Sequence, residues 1–150
     1  MKLSHTIVRL ILRLPNHIKI YGDKKYRGPC PIENADQVTL FAFIRRQWPR
    51  TWGVLAFHPR NEGKRTWGQA SWQKAEGMTE GTADLIIPAR IPLVLELKRK
   101  DHTKSEWQPG QVEYLTAAQG AGAFACIALG YEAAIEAVKE WEKVQATAVL

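Results

Sequence analysis

Asp84, near the start of one short apolar run, and Glu96-Leu97-Lys98, at the end of the next, are the residues of this 150-residue chain whose types and spacing point to chemistry. Aspartate followed about a dozen residues later by Glu-x-Lys supplies hard oxygen ligands and an adjacent cation. That set holds a divalent metal against a phosphodiester and activates water beside it. Alternate side chains of a strand share a face, so Glu96 and Lys98 point one way and Leu95 and Leu97 the other. Alone, Glu-x-Lys also describes an ordinary exposed strand edge. Leu93-Val94-Leu95, however, reads as a strand covered on both faces, and charges continuing it need partners. Asp84, opening the run Leu85-Ile86-Ile87, is the natural partner. If the two strands pair as neighbours, the carboxylates converge, and they repel unless a proton or cation lies between them. Hard oxygen ligands suit Mg²⁺ or Mn²⁺. Lys98, on the face of Glu96, would orient a water and offset charge on the phosphorus transition state.

Other polar residues can join this set. Extending the apolar stripe Leu40, Phe41, Ile44, Trp48 backwards by threes and fours reaches Gln37 and then Glu33, so Glu33 points toward the buried face. It either adds a ligand or a water-mediated contact, or stabilises a helix N-terminus. Gln111, in the first turn of a later helix, holds a phosphate, holds the lysine, or simply caps the helix. Ser105-Glu106-Trp107-Gln108 resembles a capping box and offers a different start for that helix. The four histidines show no metal-ligand spacing. His58 precedes Asn61, Lys64 and Arg65 in a polar loop that is either a phosphate contact or a solvated connection. No phosphate-cradling glycine loop and no Gly-x-Ser-x-Gly occurs.

The elements that must position these residues follow from periodicity. Residues 32–48 read as a helix that Pro49 ends. Gly53–Phe57 reads as a short strand, residues 59–80 as a polar stretch with a short helix over Ala70–Ala75. Ala83–Pro88 and Pro92–Lys98, three residues apart, read as an antiparallel pair. Pro109–Gln119 reads as a helix with Val112, Leu115 and Ala118 inward, and Ala123–Leu129 as a strand buried on both faces. Strand, helix, strand at this length makes 92–98 and 123–129 parallel. The last helix, Tyr131–Val144, turns Ala134, Ile135, Val138 and Trp141 inward. Asn16–Pro31, rich in glycine and proline, reads as an irregular connection. The fold class is α/β, a central mixed sheet flanked by helices in the order α-β-β-β-α-β-α. The division expected is an N-terminal arm over 1–30 and a domain over 31–150.

Length and composition fit one domain with a single core. Cys30 and Cys126 lie far apart outside any metal-binding spacing and read as reduced thiols, hence a cytoplasmic protein. Arg9 and Arg13 interrupt the apolar N-terminus, which argues against a signal peptide. No apolar run reaches membrane-spanning length. The net charge of +6 is unevenly spread, since residues 1–100 hold 18 Lys and Arg against 8 Asp and Glu, and residues 101–150 hold 3 against 7. The basic part would attract a polyanion.

Taken in order, Glu33 and Gln37, the run from His58 to Arg65, Lys74 to Met78, Gly81, Asp84-Leu85, Leu95 to Arg99, Gln111 to Leu115, Gly122 and the final Tyr-Glu-Ala-Ala-Ile helix resemble one family. It is the virus-type replication-repair nuclease (VRR-NUC) family of the PD-(D/E)XK superfamily. The resemblance spans residues 33–142. It departs at Gly81-Thr82-Ala83-Asp84, where the family usually has proline before the aspartate, a residue that shapes the strand without supplying chemistry. The resemblance implies a restriction-endonuclease-like core and divalent metal held by Asp84, Glu96 and the Leu97 carbonyl, with roles for Glu33, Lys98 and Gln111. Candidate DNA contacts are His58, Asn61, Lys64, Arg65, Lys74, Arg99 and Lys100. Relatives of this size are phage or bacterial proteins, and some resemble homodimers that act on branched DNA such as four-way junctions.

The expectation is a Mg²⁺- or Mn²⁺-dependent DNA endonuclease that selects DNA structure, needing no organic cofactor and no membrane. A nucleic-acid-binding module without activity, and a Mg²⁺ enzyme acting on a small phosphorylated molecule, are the alternatives.

Overall fold

The computed structural model describes residues 18–59 and 66–148. Its centre is a four-stranded sheet of β1 (Lys19–Tyr21), β2 (Leu85–Ile87), β3 (Leu93–Lys98) and β4 (Phe124–Leu129), ordered β1-β4-β3-β2. β1, β4 and β3 run parallel, and β2 is antiparallel to β3. Helices are α1 (Glu33–Gln47), α2 (Trp52–Leu55), α3 (Trp67–Ala75), α4 (Gln111–Gly120) and α5 (Tyr131–Thr147), with a 3₁₀ turn at His102–Lys104.

β3 is buried at all six positions, and its alternation sorts two cores. Leu93, Leu95 and Leu97 pack with Leu40, Phe41 and Ile44 of α1 and with Ala134, Val138 and Trp141 of α5. Val94 packs on the other face with Ala125, Ile127 and Leu129 of β4 and Leu115 of α4. Small residues at 133, 134 and 137 let α5 lie close on the sheet. Trp141 is anchored by its indole N–H, which donates to the Ile91 carbonyl at 2.7 Å, and by an edge contact with Trp52, centroids 5.0 Å apart. The antiparallel pair, the β3-α4-β4 crossover, α1, α3 and the final helix thus stand where periodicity put them, although Ile135 is only partly buried.

Two readings are corrected. Gly53–Phe57 is not a strand, because the Val54 and Leu55 amides close onto the Thr51 carbonyl at 2.9 and 3.2 Å to make the single turn α2. Only Phe57 pairs with the sheet, exchanging two 3.0 Å backbone hydrogen bonds with Ile86. The stretch 16–31 is not wholly irregular, since β1 joins the sheet beside β4 and lies ahead of the boundary drawn at residue 31. Residues 1–17, the greater part of the expected arm, lie outside the described residues. The order is therefore β-α-α-α-β-β-α-β-α.

After β1 the chain is strapped to the segment that follows β3. The Arg99 guanidinium donates to the Pro31 and Cys30 carbonyls at 3.1 and 2.8 Å. Lys104 Nζ donates to the Gly28 carbonyl at 2.8 Å, and His102 Nε2 donates to the Lys24 carbonyl at 2.9 Å. Asp101 accepts from the Gly28 amide at 3.0 Å and from the Thr103 amide and hydroxyl at 3.1 and 2.5 Å. Burial opposes its ionisation, but these donors outweigh it and hold the carboxyl below the usual aspartate range.

A group shifted downward stabilises the fold above its unfolded pKa, and that stability is lost as pH falls through the folded value. Asp101→Ala is therefore expected to cost about 2 kcal/mol at pH 7 in urea unfolding, with the gap from the parent closing below about pH 4. The Cys126 thiol is fully buried, and burial pushes its pKa up, whereas Cys30 is half-buried in the strap. A thiol reagent should titrate one cysteine in the native protein and two in urea, with Cys30→Ser removing the native signal.

Candidate metal centre

The β2–β3 register pairs Leu85 with Leu95, Ile86 with Val94 and Ile87 with Leu93. Continued by one step it sets Asp84 opposite Glu96, so both side chains leave the same face. The next backbone rung is replaced, because Asp84 Oδ2 accepts the Leu97 amide at 2.8 Å. N–H and C=O of one strand residue point to the same side, so the Leu97 carbonyl faces the Asp84 edge, where the ladder has stopped. Asp84 is itself held by its backbone carbonyl, which accepts from His58 Nδ1 at 2.7 Å. That bond places the imidazole proton on Nδ1.

Glu96 is 1% exposed and Lys98 2%. Glu96 Oε1 accepts from Gln111 Nε2 at 2.7 Å and lies 3.4 Å from Lys98 Nζ. Lys98 Nζ also donates to the Glu106 carbonyl at 2.7 Å and to Gln111 Oε1 at 3.0 Å, and lies 4.6 Å over the Trp107 ring. Gln111 Oε1 takes a further bond from the Gln108 amide at 2.9 Å. One amide therefore bridges carboxylate and ammonium. Of the roles open to Gln111, the structure shows it holding the lysine. It stands where it does because α4 begins at Gln111 after Gly110, whose φ of +86° leaves the right-handed helical region. Ser105-Glu106-Trp107-Gln108 is not the cap of α4. The Ser105 hydroxyl instead accepts the Arg99 amide at 2.8 Å and donates to Glu33 Oε1 at 2.6 Å.

Gly81 fits Asp84 to this framework. It has φ +78°, and a Cβ there would lie 2.2 Å from the Gly110 carbonyl carbon. The segment leading to Asp84 thus rests backbone to backbone against the start of α4.

Burial first, and then the neighbouring Asp84 charge, raises the Glu96 carboxyl well above its ordinary range, with Lys98 opposing. Asp84 is raised by burial against the Leu97 amide and Lys98. Glu33, the first residue of α1, is likewise raised by burial, against Lys98 and Ser105. The Asp84 and Glu96 carboxyls are within hydrogen-bonding reach of each other, yet Glu96 Oε2 is buried with no donor among the described residues. An oxygen so placed fits a proton or a cation. No cluster of three or more His, Cys, Asp or Glu side chains that could hold a metal occurs among the described residues. Two carboxylates and the Leu97 carbonyl nevertheless suit Mg²⁺ or Mn²⁺, since Mg²⁺ retains several waters and needs only one or two protein carboxylates. Glu33 faces the pair from the Ser105 hydrogen bond and is not gathered into a three-carboxylate cluster.

The expected DNA contacts are dispersed. His58 adjoins Asp84, as described. Arg99 is engaged with the strap carbonyls, Lys100 is exposed with its ammonium 4.6 Å over the Tyr26 ring, and Lys74 is exposed on α3. Asn61, Lys64 and Arg65 lie outside the described residues. Ser105, the Glu106 carbonyl, Trp107 and the Gly81–Gly110 contact were not foreseen as parts of the site. Only Gly81, a glycine three residues ahead of Asp84, carried a local signal for this.

Groups raised on folding stabilise the protein below their unfolded pKa, and that stability is lost as pH rises through the folded value. The metal-free protein is therefore expected to melt at lower temperature at pH 8 than near pH 4.5, the ordinary carboxylate range. Glu96→Gln should raise the pH 8 midpoint by a few degrees, about 1 kcal/mol, and weaken the stabilisation that Mn²⁺ gives the parent. Differential scanning fluorimetry with EDTA or Mn²⁺ measures both.

No family model and no curated protein matches the sequence. A solved structure titled VRR_NUC domain protein matches the fold with a TM-score of 0.64 at 22% identity, covering 79% of this chain and 92% of that one. This chain therefore shares the fold of that VRR_NUC domain protein, and the mixed sheet flanked by helices is the α/β architecture its residues led us to expect.

Proposed function

We propose that this chain is a divalent-metal-dependent nuclease that hydrolyses phosphodiester bonds in DNA, an endonuclease selective for branched structures. The observation that carries this is the Glu96 oxygen beside Asp84 that has no donor among the described residues, at the end of a buried strand, with the Lys98 ammonium on the other Glu96 oxygen. Asp84, Glu96 and the Leu97 carbonyl would hold Mg²⁺ or Mn²⁺, which supplies Lewis-acid polarisation and a more acidic water when bound. Lys98 then sets a fixed positive charge beside the reacting phosphate, where burial strengthens it. Gln111 is a positioning residue, since its amide holds both Glu96 and Lys98. Glu33 adds negative charge facing the same pair from α1.

The structural neighbour's VRR_NUC title and the basic first hundred residues support DNA as the polymer. Junction cleavage would need two sites and hence a homodimer. A phage or bacterial role in replication, recombination or repair, in the host cytoplasm, goes with that reading. Among the described residues no helix is long and apolar enough to cross a membrane. The second reading, a binding module without activity, is favoured only by the absence of a three-carboxylate cluster among the described residues.

The test is a cleavage panel of four-way junction, flap, splayed-arm, duplex and single-stranded DNA with Mg²⁺ or Mn²⁺. Asp84→Ala, Glu96→Ala and Lys98→Ala are each expected to lower the rate at least about 100-fold while DNA binding persists. Full metal-dependent cleavage by the Asp84→Ala/Glu96→Ala protein would overturn the assignment. Steeply salt-dependent binding with no cleavage of any substrate would favour the binding module.

A further inference from the structure

Beside the metal centre, α1 and the Ala56–His58 segment enclose an open groove of about 440 Å³, bounded by Gln37, Val38, Phe41, Arg45, Phe57 and His58 among others. Its volume is that of a small-molecule site. One end adjoins the centre, because His58 donates to the Asp84 carbonyl and Gln37 lies one helical turn after Glu33. The other end carries Arg45, an exposed cation whose guanidinium lies 5.4 Å from the Phe41 ring centroid. Between them Phe57 is 47% exposed and Val38 70%. No carboxylate lines the groove among the described residues, and the Gln37 amide makes no hydrogen bond among them.

We propose that this groove receives one unpaired nucleobase of the substrate strand next to the scissile phosphate. The inference rests on the nuclease reading and adds to it the source of structure selectivity. The Phe57 ring supplies a stacking surface, the Gln37 amide can donate to and accept from a base edge, and Arg45 meets the next phosphate. A cation at the far end and an uncharged amide within suit a nucleotide better than an acidic or purely apolar partner. A base still stacked in duplex cannot enter, so DNA with unpaired nucleotides at the branch is preferred.

The test uses the full chain in the Glu96→Gln background with Mg²⁺, and two probes. One is a splayed-arm DNA carrying 2-aminopurine at the first unpaired position, the other a blunt duplex of the same sequence. Phe57→Ala is expected to weaken splayed-arm binding about 10-fold, abolish the 2-aminopurine signal and change duplex binding less than about 2-fold. Phe57→Trp should restore both signals, and Arg45→Gln should lower the salt slope by about one. Phe57 pairs with Ile86 through backbone atoms, so the alanine variant keeps that contact, and its melting midpoint checks the fold. If the parent binds and Phe57→Ala equals it, or both probes weaken alike, the inference fails while the nuclease reading stands. If no DNA is bound by the parent or cleaved by the wild type, both fail. Dissociation of a dimer by Phe57→Ala without a change in DNA affinity would make the groove a self-association face and overturn the inference.

Discussion

Burying a carboxylate and an ammonium two residues apart on a fully enclosed strand is the constraint around which the rest of this molecule is arranged. Glu96 and Lys98 are both closed off from solvent, so their hydrogen-bond partners must come from the chain, and among the described residues only Glu96 Oε2 goes without one. The ammonium obtains three oxygen partners, from Glu106, Gln111 and Glu96. Those partners fix the path of residues 99–110 and the residue at which α4 begins. Gly110 makes the turn into that helix, and only glycine at 81 lets the segment before Asp84 lie against it. Backbone irregularities that look incidental in sequence therefore answer to one buried ion pair.

The Asp84 edge follows a complementary logic. Where β2 ends, a carboxylate takes the Leu97 amide that a backbone carbonyl would otherwise accept. The strand keeps its hydrogen bond while the neighbouring carbonyl and the far Glu96 oxygen are left facing one another's side. This is local frustration at a point of otherwise consistent packing, and such points are where function concentrates. Low dielectric sharpens it, because repulsion between the two carboxylates is poorly screened there.

Periodicity made much of this legible. The α1 stripe, the tight β2–β3 pair and the crossover to β4 each carry a repeat long enough to identify the element. β1 was hidden because three residues amid glycine and proline have no period, and the sheet pairing that creates it comes from β4, a hundred residues on. The Gly53–Phe57 run is apolar throughout, a pattern shared by a strand and a helical turn, and the turn that forms leaves Val54 and Leu55 exposed while Trp52 at its start packs on Trp141. At the site, residue type singled out Asp84, Glu96 and Lys98, which the fold brings together. Sequence left Gln111 divided between phosphate and lysine, since an amide's partners depend on distances that only the fold sets. Ser105 read as a cap because serine followed by Glu-Trp-Gln is a local signal, whereas its actual partners, Glu33 and Arg99, come from two other parts of the chain.

The two outermost strands of the sheet are three residues each. On β2, the outward amide and carbonyl of Ile86 are already taken by Phe57, and on β1 Lys19 holds a charge against Glu140 at 3.2 Å. The outward backbone of β2 at Ile86 is thus closed to a foreign strand, and on β1 a charged side chain stands on a strand only three residues long. Short strands, one covered edge and a charge at the other are features that disfavour edge-to-edge aggregation.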